Sequence, residues 1–475
     1  MKFLIFGTGD YYNRYKKWFA HEDVVALLDN SQQKQYTFMD KTEILPPKEG
    51  VKLSYDVIVI LSFHVNQMKQ QLISLGVAEN RIFHFYDLNR LLGQNKRKWQ
   101  IQYYLNAEKI VKSVNTSPKK ILLLSNDLSL GGPSIALFYA AIVLKQQGYL
   151  VVYASMLDGT LRESLMERDI PVVVDENLQI ATMAEVEWVN TFSLVVCNTL
   201  NFHVFLSERN TDIPILWWLH DSAYFYNGVK REIMKSICLE NLQAVSVGPV
   251  PEAAIKEFLP DMECGRLLYG VEDIQTHSTD VELEGQDRVK HSSQVCFVTI
   301  GFLEERKGQD ILLEAINQLP VSVRESCLFY IVGHNKTIFG QELYRKSANI
   351  REIIFTGSVG REKIHALLNR SDVLICPSRQ DPMPTVAAEA MMHSVPCIVS
   401  NAIGTAAYIR DGENGFVFQN ENAEALAGKI QQCVERKECL PSIGKKARKL
   451  YDQFFSMKSF EGNFLNIVNA ILKSI

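Results

Sequence analysis

The chain has 475 residues, 47% of them hydrophobic and 22% charged, with a formal net charge of −4. That length suits about three domains of ordinary size. The apolar fraction excludes a disordered chain, and the slightly acidic balance excludes the basic footprint of a nucleic-acid binder. Nine cysteines are scattered along the chain, an odd number with no CxxC pair. They read as buried thiols in a reducing compartment rather than a disulfide framework. No window approaches the roughly 18–20 continuous apolar residues of a membrane span, and the short apolar run before Gly7 is too brief for a signal-peptide core. A cytoplasmic protein is expected; docking at the inner face of the cell membrane stays open.

In chain order, residues 1–90 read as a small Rossmann-like α/β domain. Strands are expected at Phe3–Phe6, Val24–Leu28, Val57–Ser62 and Ile82–Phe85, with helices running to about Phe19 and over Val65–Leu75. Strands alternating with helices imply a doubly wound parallel sheet. Gly7-Thr8-Gly9 after the first strand, with Asp29 twenty residues beyond Gly9, makes a partial dinucleotide fingerprint; Tyr12 stands at the third glycine position. Two readings stay open, a nucleotide or nucleotide-sugar site and a tight structural turn in a docking domain. Residues 91–117, polar and basic around Lys96, Arg97 and Lys98, read as a helical connector. There are no internal repeats.

Residues 118–285 start a second α/β unit. Strands are expected at Ile121–Leu124, Leu150–Ala154, Val172–Val174, Leu194–Cys197 and Ile213–Leu219, the last ending at His220-Asp221. Between the first two, Gly131-Gly132-Pro133 opens a helix through Leu144 and lets backbone approach whatever lies above the sheet. The polar stretch 274–293 reads as a hinge. Residues 290–455 repeat the theme with strands Cys296–Ile300, Phe329–Val332, Ile353–Phe355, Val373–Cys376 and Cys397–Ser400. After Val373–Cys376 a loop carries Asp381, Pro382 and Pro384, then a helix holds Glu389. Such loops lie beyond the carboxyl ends of strands, where open α/β sheets bind ligands. Two consecutive domains of this kind, facing each other, leave a cleft lined by strand ends.

Five motifs in order carry a resemblance over residues 118–475: Gly131-Gly132, His220-Asp221, Tyr269-Gly270-Val271, Gly301 with Lys307-Gly308, and the acidic pair ending in Glu389-Ala390-Met391. Together they resemble the retaining glycosyltransferases of GT-B architecture, the group 1 or family 4 type. The resemblance implies two facing Rossmann-like domains behind the extra N-terminal one, with 456–475 as a candidate completion of the first. It also implies hexose transfer from a nucleotide-diphosphate sugar, UDP by family frequency, to a glycan or lipid-linked acceptor in polysaccharide, cell-wall or glycoconjugate synthesis. His220, Lys307 and Asp381 take catalytic roles: His220 near the reacting carbon, Lys307 against the diphosphate, Asp381 on the sugar. Gly132, Gly301, Met383, Pro384, Thr385 and Glu389 bind the donor, Glu389 holding the ribose hydroxyls. A fixed cation and free helix amides stabilise the leaving diphosphate, so no cofactor and no metal are expected. Phe302 stands where the family often has arginine, and Asp381 where it usually has glutamate. Arg306 would point away from Lys307 if the turn that carries them is helical, so it is not expected to compensate. A non-catalytic glycosyltransferase-like subunit is the alternative that these departures suggest. A fused NAD-dependent oxidoreductase, resting on Gly7-x-Gly9 and Asp29, is a third.

Overall fold

The computed structural model describes residues 1–93, 100–113, 119–274, 294–334 and 336–473. By its internal contacts the chain divides into two units, Met1–Ala244 with Ala254–Glu263, and Val245–Ala253 with Cys264–Ile475. Lys96, Arg97, Lys98 and all but the first residue of the expected hinge lie outside the described residues.

The first unit contains a six-stranded sheet in the order Phe38–Met39, Thr42–Leu45, Asp23–Leu28, Lys2–Phe6, Val57–Ile60, Ile82–His84. Its pairings are parallel except the first. Alternate residues of one strand supply opposite faces. Phe3 and Ile5 pack with Tyr15 and Trp18, while Leu4 and Phe6 pack with Ile58, Ile60 and Met68. Burial on both faces is why these strands read as continuous apolar runs. The chain steps outward in opposite directions on the two sides of Lys2–Phe6 and Val57–Ile60, which makes the gap between their carboxyl ends the sheet's switch point.

Six strands of a second sheet run in the order Ile215–Leu219, Leu194–Asn198, Lys120–Ser125, Leu150–Ser155, Val172–Val174, Gln102–Tyr104. Its last strand corrects the expected connector. Gln102–Tyr104 pairs antiparallel with Val172–Val174, and helix Ala107–Lys112 follows. Three residues with one aromatic pair carry too little periodicity to be read as a strand, and the pairing comes from a partner some seventy positions away.

The second unit carries a parallel sheet in the order Ile353–Gly357, Cys327–Val332, Val295–Ile300, Val373–Cys376, Cys397–Ser400, Phe416–Phe418. Its switch point lies between Val295–Ile300 and Val373–Cys376, the strands that lead into Lys307 and Asp381. Helix Met457–Lys473 groups with this unit. There a Cβ added to Gly270 would lie 2.6 Å from the Met457 sulfur and 2.9 Å from Phe460 Cβ, so only glycine admits the helix this closely. Among the described residues no helix is long and apolar enough to cross a membrane, and the nine cysteines are not joined in disulfides.

Candidate active site

Two loops of the second unit meet at the sheet's switch point. One leaves Val295–Ile300 through Gly301, makes a single tight turn over Glu305–Lys307, and enters helix Gln309–Gln318 at Gly308. Gly308 has φ +69°, and a Cβ there would stand 2.1 Å from the carbonyl oxygen of Pro377 on the other loop. Both the left-handed backbone and the close approach demand glycine. The second loop leaves Val373–Cys376 and ends at helix Thr385–Met392, whose N-cap is Pro384 without a side-chain cap. Asp381 therefore does not cap that helix.

Asp381 instead receives Lys307. The ammonium Nζ lies 2.6 Å from Asp381 Oδ2, with side chains only 19% and 8% exposed. Arg306 Nη1 lies 3.6 Å from the same oxygen and donates to the Gln380 carbonyl at 3.2 Å. This corrects the expectation for Arg306: in so short a turn, successive side chains both reach the acidic loop. Gly301 backs onto the stem of Lys307, where an added Cβ would be 3.7 Å from Cε. Arg379 fastens the two loops with a bidentate contact to Asp310 at 2.8 and 2.7 Å and a bond to the Glu305 carbonyl at 2.6 Å.

The acidic loop is also held from below. Tyr269 donates its hydroxyl to the Met383 carbonyl at 3.0 Å, and Gly404 N–H donates to the Asp381 carbonyl at 3.1 Å. Burial first, then the charges of Asp381 and Glu389, push the Tyr269 hydroxyl well above its ordinary pKa, so it stays a donor. Met383 itself is buried, its sulfur accepting from Thr405 at 3.4 Å.

Glu389 sits one turn into helix Thr385–Met392, buried, with Oε1 2.8 Å from the half-exposed Arg361 guanidinium. Behind it, His365 Nδ1 and His393 Nε2 lie 3.0 Å apart. Burial lowers the pKa of both rings, that of His393 to about 4, so the pair is neutral near pH 7. Sequence reasoning missed Arg361, Arg379 and this histidine pair. Each is distant in sequence from what it touches and stands in no local motif.

His220 and Gly132 belong to the first unit. His220 follows Ile215–Leu219, buried, its ring 4.7 Å from that of Trp218. Burial lowers its pKa to about 3, and Nε2 is buried without a hydrogen-bond partner. Asp221 accepts from the Leu200 amide at 2.6 Å; burial raises its pKa to about 6, against the pull of the Leu200 and His220 amides. Gly132 is the first residue of helix Gly132–Gln146. The loop before it folds on Asp127, whose Oδ1 accepts from the Ser129 amide at 3.0 Å, the Ser129 hydroxyl at 2.6 Å and the Ser134 hydroxyl at 2.8 Å. Asn198 donates to the Pro133 carbonyl at 2.8 Å.

Lys307, Asp381, Met383 and Gly301 are thus one constellation, with Pro384, Thr385 and Glu389 on the helix that follows. A buried carboxylate aiming a cation at a switch point is suited to a ligand with phosphate and hydroxyl groups. A cavity of about 500 Å³ in this unit lies elsewhere, beside Tyr408, Arg410 and Lys446.

Family models match along the chain. Residues 281–450 match the family model for glycosyl transferases group 1, residues 117–245 that for glycosyl-transferase family 4, and residues 1–83 that for the C2185-like N-terminal domain. Spore coat protein SA of Bacillus subtilis is 24% identical over 58% of this chain and 78% of its own length. The lipopolysaccharide glucosyltransferase WaaG of Escherichia coli is 31% identical over 24% of this chain and 29% of its own. Among solved structures, Anabaena HepE in complex with UDP and glucose is 18% identical, covers 74% of this chain and 100% of its own, and superposes with a TM-score of 0.60. At that identity the likeness speaks for the fold.

Proposed function

The chain belongs to the glycosyltransferases of GT-B architecture, with family 4 and group 1 domains in succession, and from that premise we infer retaining transfer of a hexose from a nucleotide-diphosphate sugar to a glycan hydroxyl. UDP is the carrier we favour, since HepE is a fold relative solved with UDP-glucose. The acceptor class we favour is a surface glycan or lipid-linked saccharide, as in the pathway named for WaaG, with the enzyme acting at a membrane face.

The observation that carries this reading is the Lys307–Asp381 pair, 2.6 Å apart at the sheet's switch point. In the proposed reaction the bond from the anomeric carbon to the diphosphate oxygen breaks, and negative charge grows on that oxygen. Lys307 faces this charge as a preorganised cation, with Arg306 beside it. Asp381 holds the ammonium in place and offers its remaining acceptor sites to sugar hydroxyls. Glu389 binds the ribose diol. Front-face attack by the acceptor hydroxyl retains configuration, and the departing diphosphate takes the acceptor's proton. His220, neutral because of burial, contributes a hydrogen bond from its unpartnered nitrogen rather than a charge. No metal enters this scheme.

The test is a donor screen with UDP-glucose, UDP-galactose, UDP-GlcNAc and GDP-mannose, reading released nucleotide and the anomeric configuration of the product. One donor should be consumed, with activity lost in Lys307→Ala and Glu389→Ala. Turnover insensitive to both substitutions, or an inverted product, rejects the mechanism.

A further inference from the structure

The first sheet has a switch point of its own, and a cavity of about 340 Å³ opens there, lined by Gly7, Gly9, Asp29, Lys34, Ser62 and Phe63. This lies at the lower end of the range of small-molecule sites, about 300–1,000 Å³. Its two glycines differ. Gly7 has φ +110°, and a Cβ there would meet the Leu61 carbonyl oxygen at 2.5 Å, so the fold itself requires glycine. Gly9 has a negative φ of −93°, and a Cβ there would meet nothing within 4 Å. Packing gives no reason for Gly9, which lines the cavity.

The polar groups are already ordered. Asp29 Oδ2 accepts from the Thr8 amide at 3.2 Å and from the Thr8 hydroxyl, and Oδ1 accepts from the Ser31 amide at 2.8 Å. Lys34 Nζ lies 3.5 Å from Asp29 Oδ2 and 3.2 Å from the Thr8 hydroxyl. With Oδ2 occupied, Asp29 retains acceptor capacity for one hydroxyl on Oδ1, short of the two-handed grip on a ribose diol that a dinucleotide fingerprint supplies. Lys34 supplies a cation at the rim. Phe63, packed 5.3 Å from the Tyr224 ring, offers an aromatic face beside it. A hydroxyl acceptor, a cation and a flat apolar wall, in a space of this size, match a ribose phosphate bearing a base.

We propose that residues 1–90 bind a mononucleotide in this cavity, at a site separate from the donor site of the second unit. The ring rests by Phe63, the phosphate meets Lys34, and the backbone at Gly9 lies against the ligand. The experiment is calorimetric titration of the full chain with UMP, CMP, AMP, GMP and NAD, repeated on Gly9→Val and Lys34→Glu. At least one mononucleotide should bind at this site below about 1 mM, more tightly than NAD. Both substitutions should weaken it about tenfold or more while leaving donor turnover and the unfolding midpoint unchanged. If Gly9→Val misfolds, Lys34→Glu and the charge-keeping Lys34→Arg decide, the second retaining binding. Absence of mononucleotide binding, binding untouched by the substitutions, or a preference for NAD overturns the proposal. Failure here leaves the transferase reading intact, since that is tested by turnover.

Discussion

Replacing Lys307 with methionine removes the cation but keeps the stem that packs against Gly301. At an effective dielectric of about 20, charges 2.6 Å apart attract by about 6 kcal/mol, and 3.6 Å apart, as for Arg306, by about 5 kcal/mol. Desolvation offsets most of each term, and removing one partner of a largely buried pair costs about 3–5 kcal/mol when nothing replaces it. Arg306 remains, so Lys307→Met should cost about 2–3 kcal/mol. Asp381→Asn should cost less, about 1–2 kcal/mol, because a 19% exposed ammonium recovers some hydration. The double variant should cost no more than Lys307→Met alone, a coupling of about 1.5 kcal/mol. Turnover should fall about 100-fold in Lys307→Met and stay low in the double variant, since neutralising the acid does not restore a cation facing the leaving group. Tryptophan fluorescence is the wrong probe: Trp18, Trp99, Trp188, Trp217 and Trp218 all precede the second unit. Hydrogen exchange of peptides spanning 295–310 and 373–392 reads the right region. Single-variant costs adding within about 0.5 kcal/mol would falsify the coupling, and a double variant with restored turnover would show that the cation's role is structural.

Gly308→Ala places a methyl against the Pro377 carbonyl in a left-handed backbone, so about 2–4 kcal/mol of local stability should go; unchanged exchange in 303–312 would contradict the close approach. His220 and Asp221 should oppose each other in acid. The His220 pKa is depressed to about 3, so its contribution is intact above about 6.5 and declines as pH falls. The Asp221 pKa is raised to about 6, so between about 4 and 6 the folded form keeps a proton the unfolded chain has lost, and stability rises as pH falls. The slopes, each about 1 kcal/mol per pH unit, largely cancel. Asp221→Asn should expose the histidine slope as extra acid lability in urea titrations followed by Trp217 and Trp218 emission; parallel wild-type and variant profiles would count against it. Arg361→Ala frees Glu389 Oε1, so donor KM should drop about two- to fivefold, the scale of a half-exposed ion pair, with stability unaltered; a rise in KM would instead make Arg361 a ligand for the donor.

The long apolar strands were legible because burial on both faces writes an unbroken run, as in VLIC at Val373–Cys376. Lys307-Gly308 was legible because a backbone constraint and a charge stand side by side. The short edge strands Phe38–Met39 and Phe416–Phe418 were not expected, since two or three residues hold little periodicity and owe their form to a neighbour. Gln102–Tyr104 hid within a basic tract for the same reason. Of the site, Lys307 and Asp381 could be named in advance, but not that they bond to each other. Arg306 was misjudged because a full helical turn was assumed where the chain makes a single tight one. Arg361 reaches Glu389 from another helix, a relation that only tertiary packing creates.

The fit of Gly270 against Met457 and Phe460 bears on how the protein matures. The residue beside it, Tyr269, props the acidic loop through the Met383 carbonyl. Tyr451 donates to the Val271 carbonyl at 2.8 Å, clamping the same segment from the far side. The segment beneath Asp381 therefore lacks its seat until residues beyond 457 have emerged from the ribosome. Chains halted short of that point retain every residue assigned to sugar transfer, yet lack one of the supports of their acidic loop.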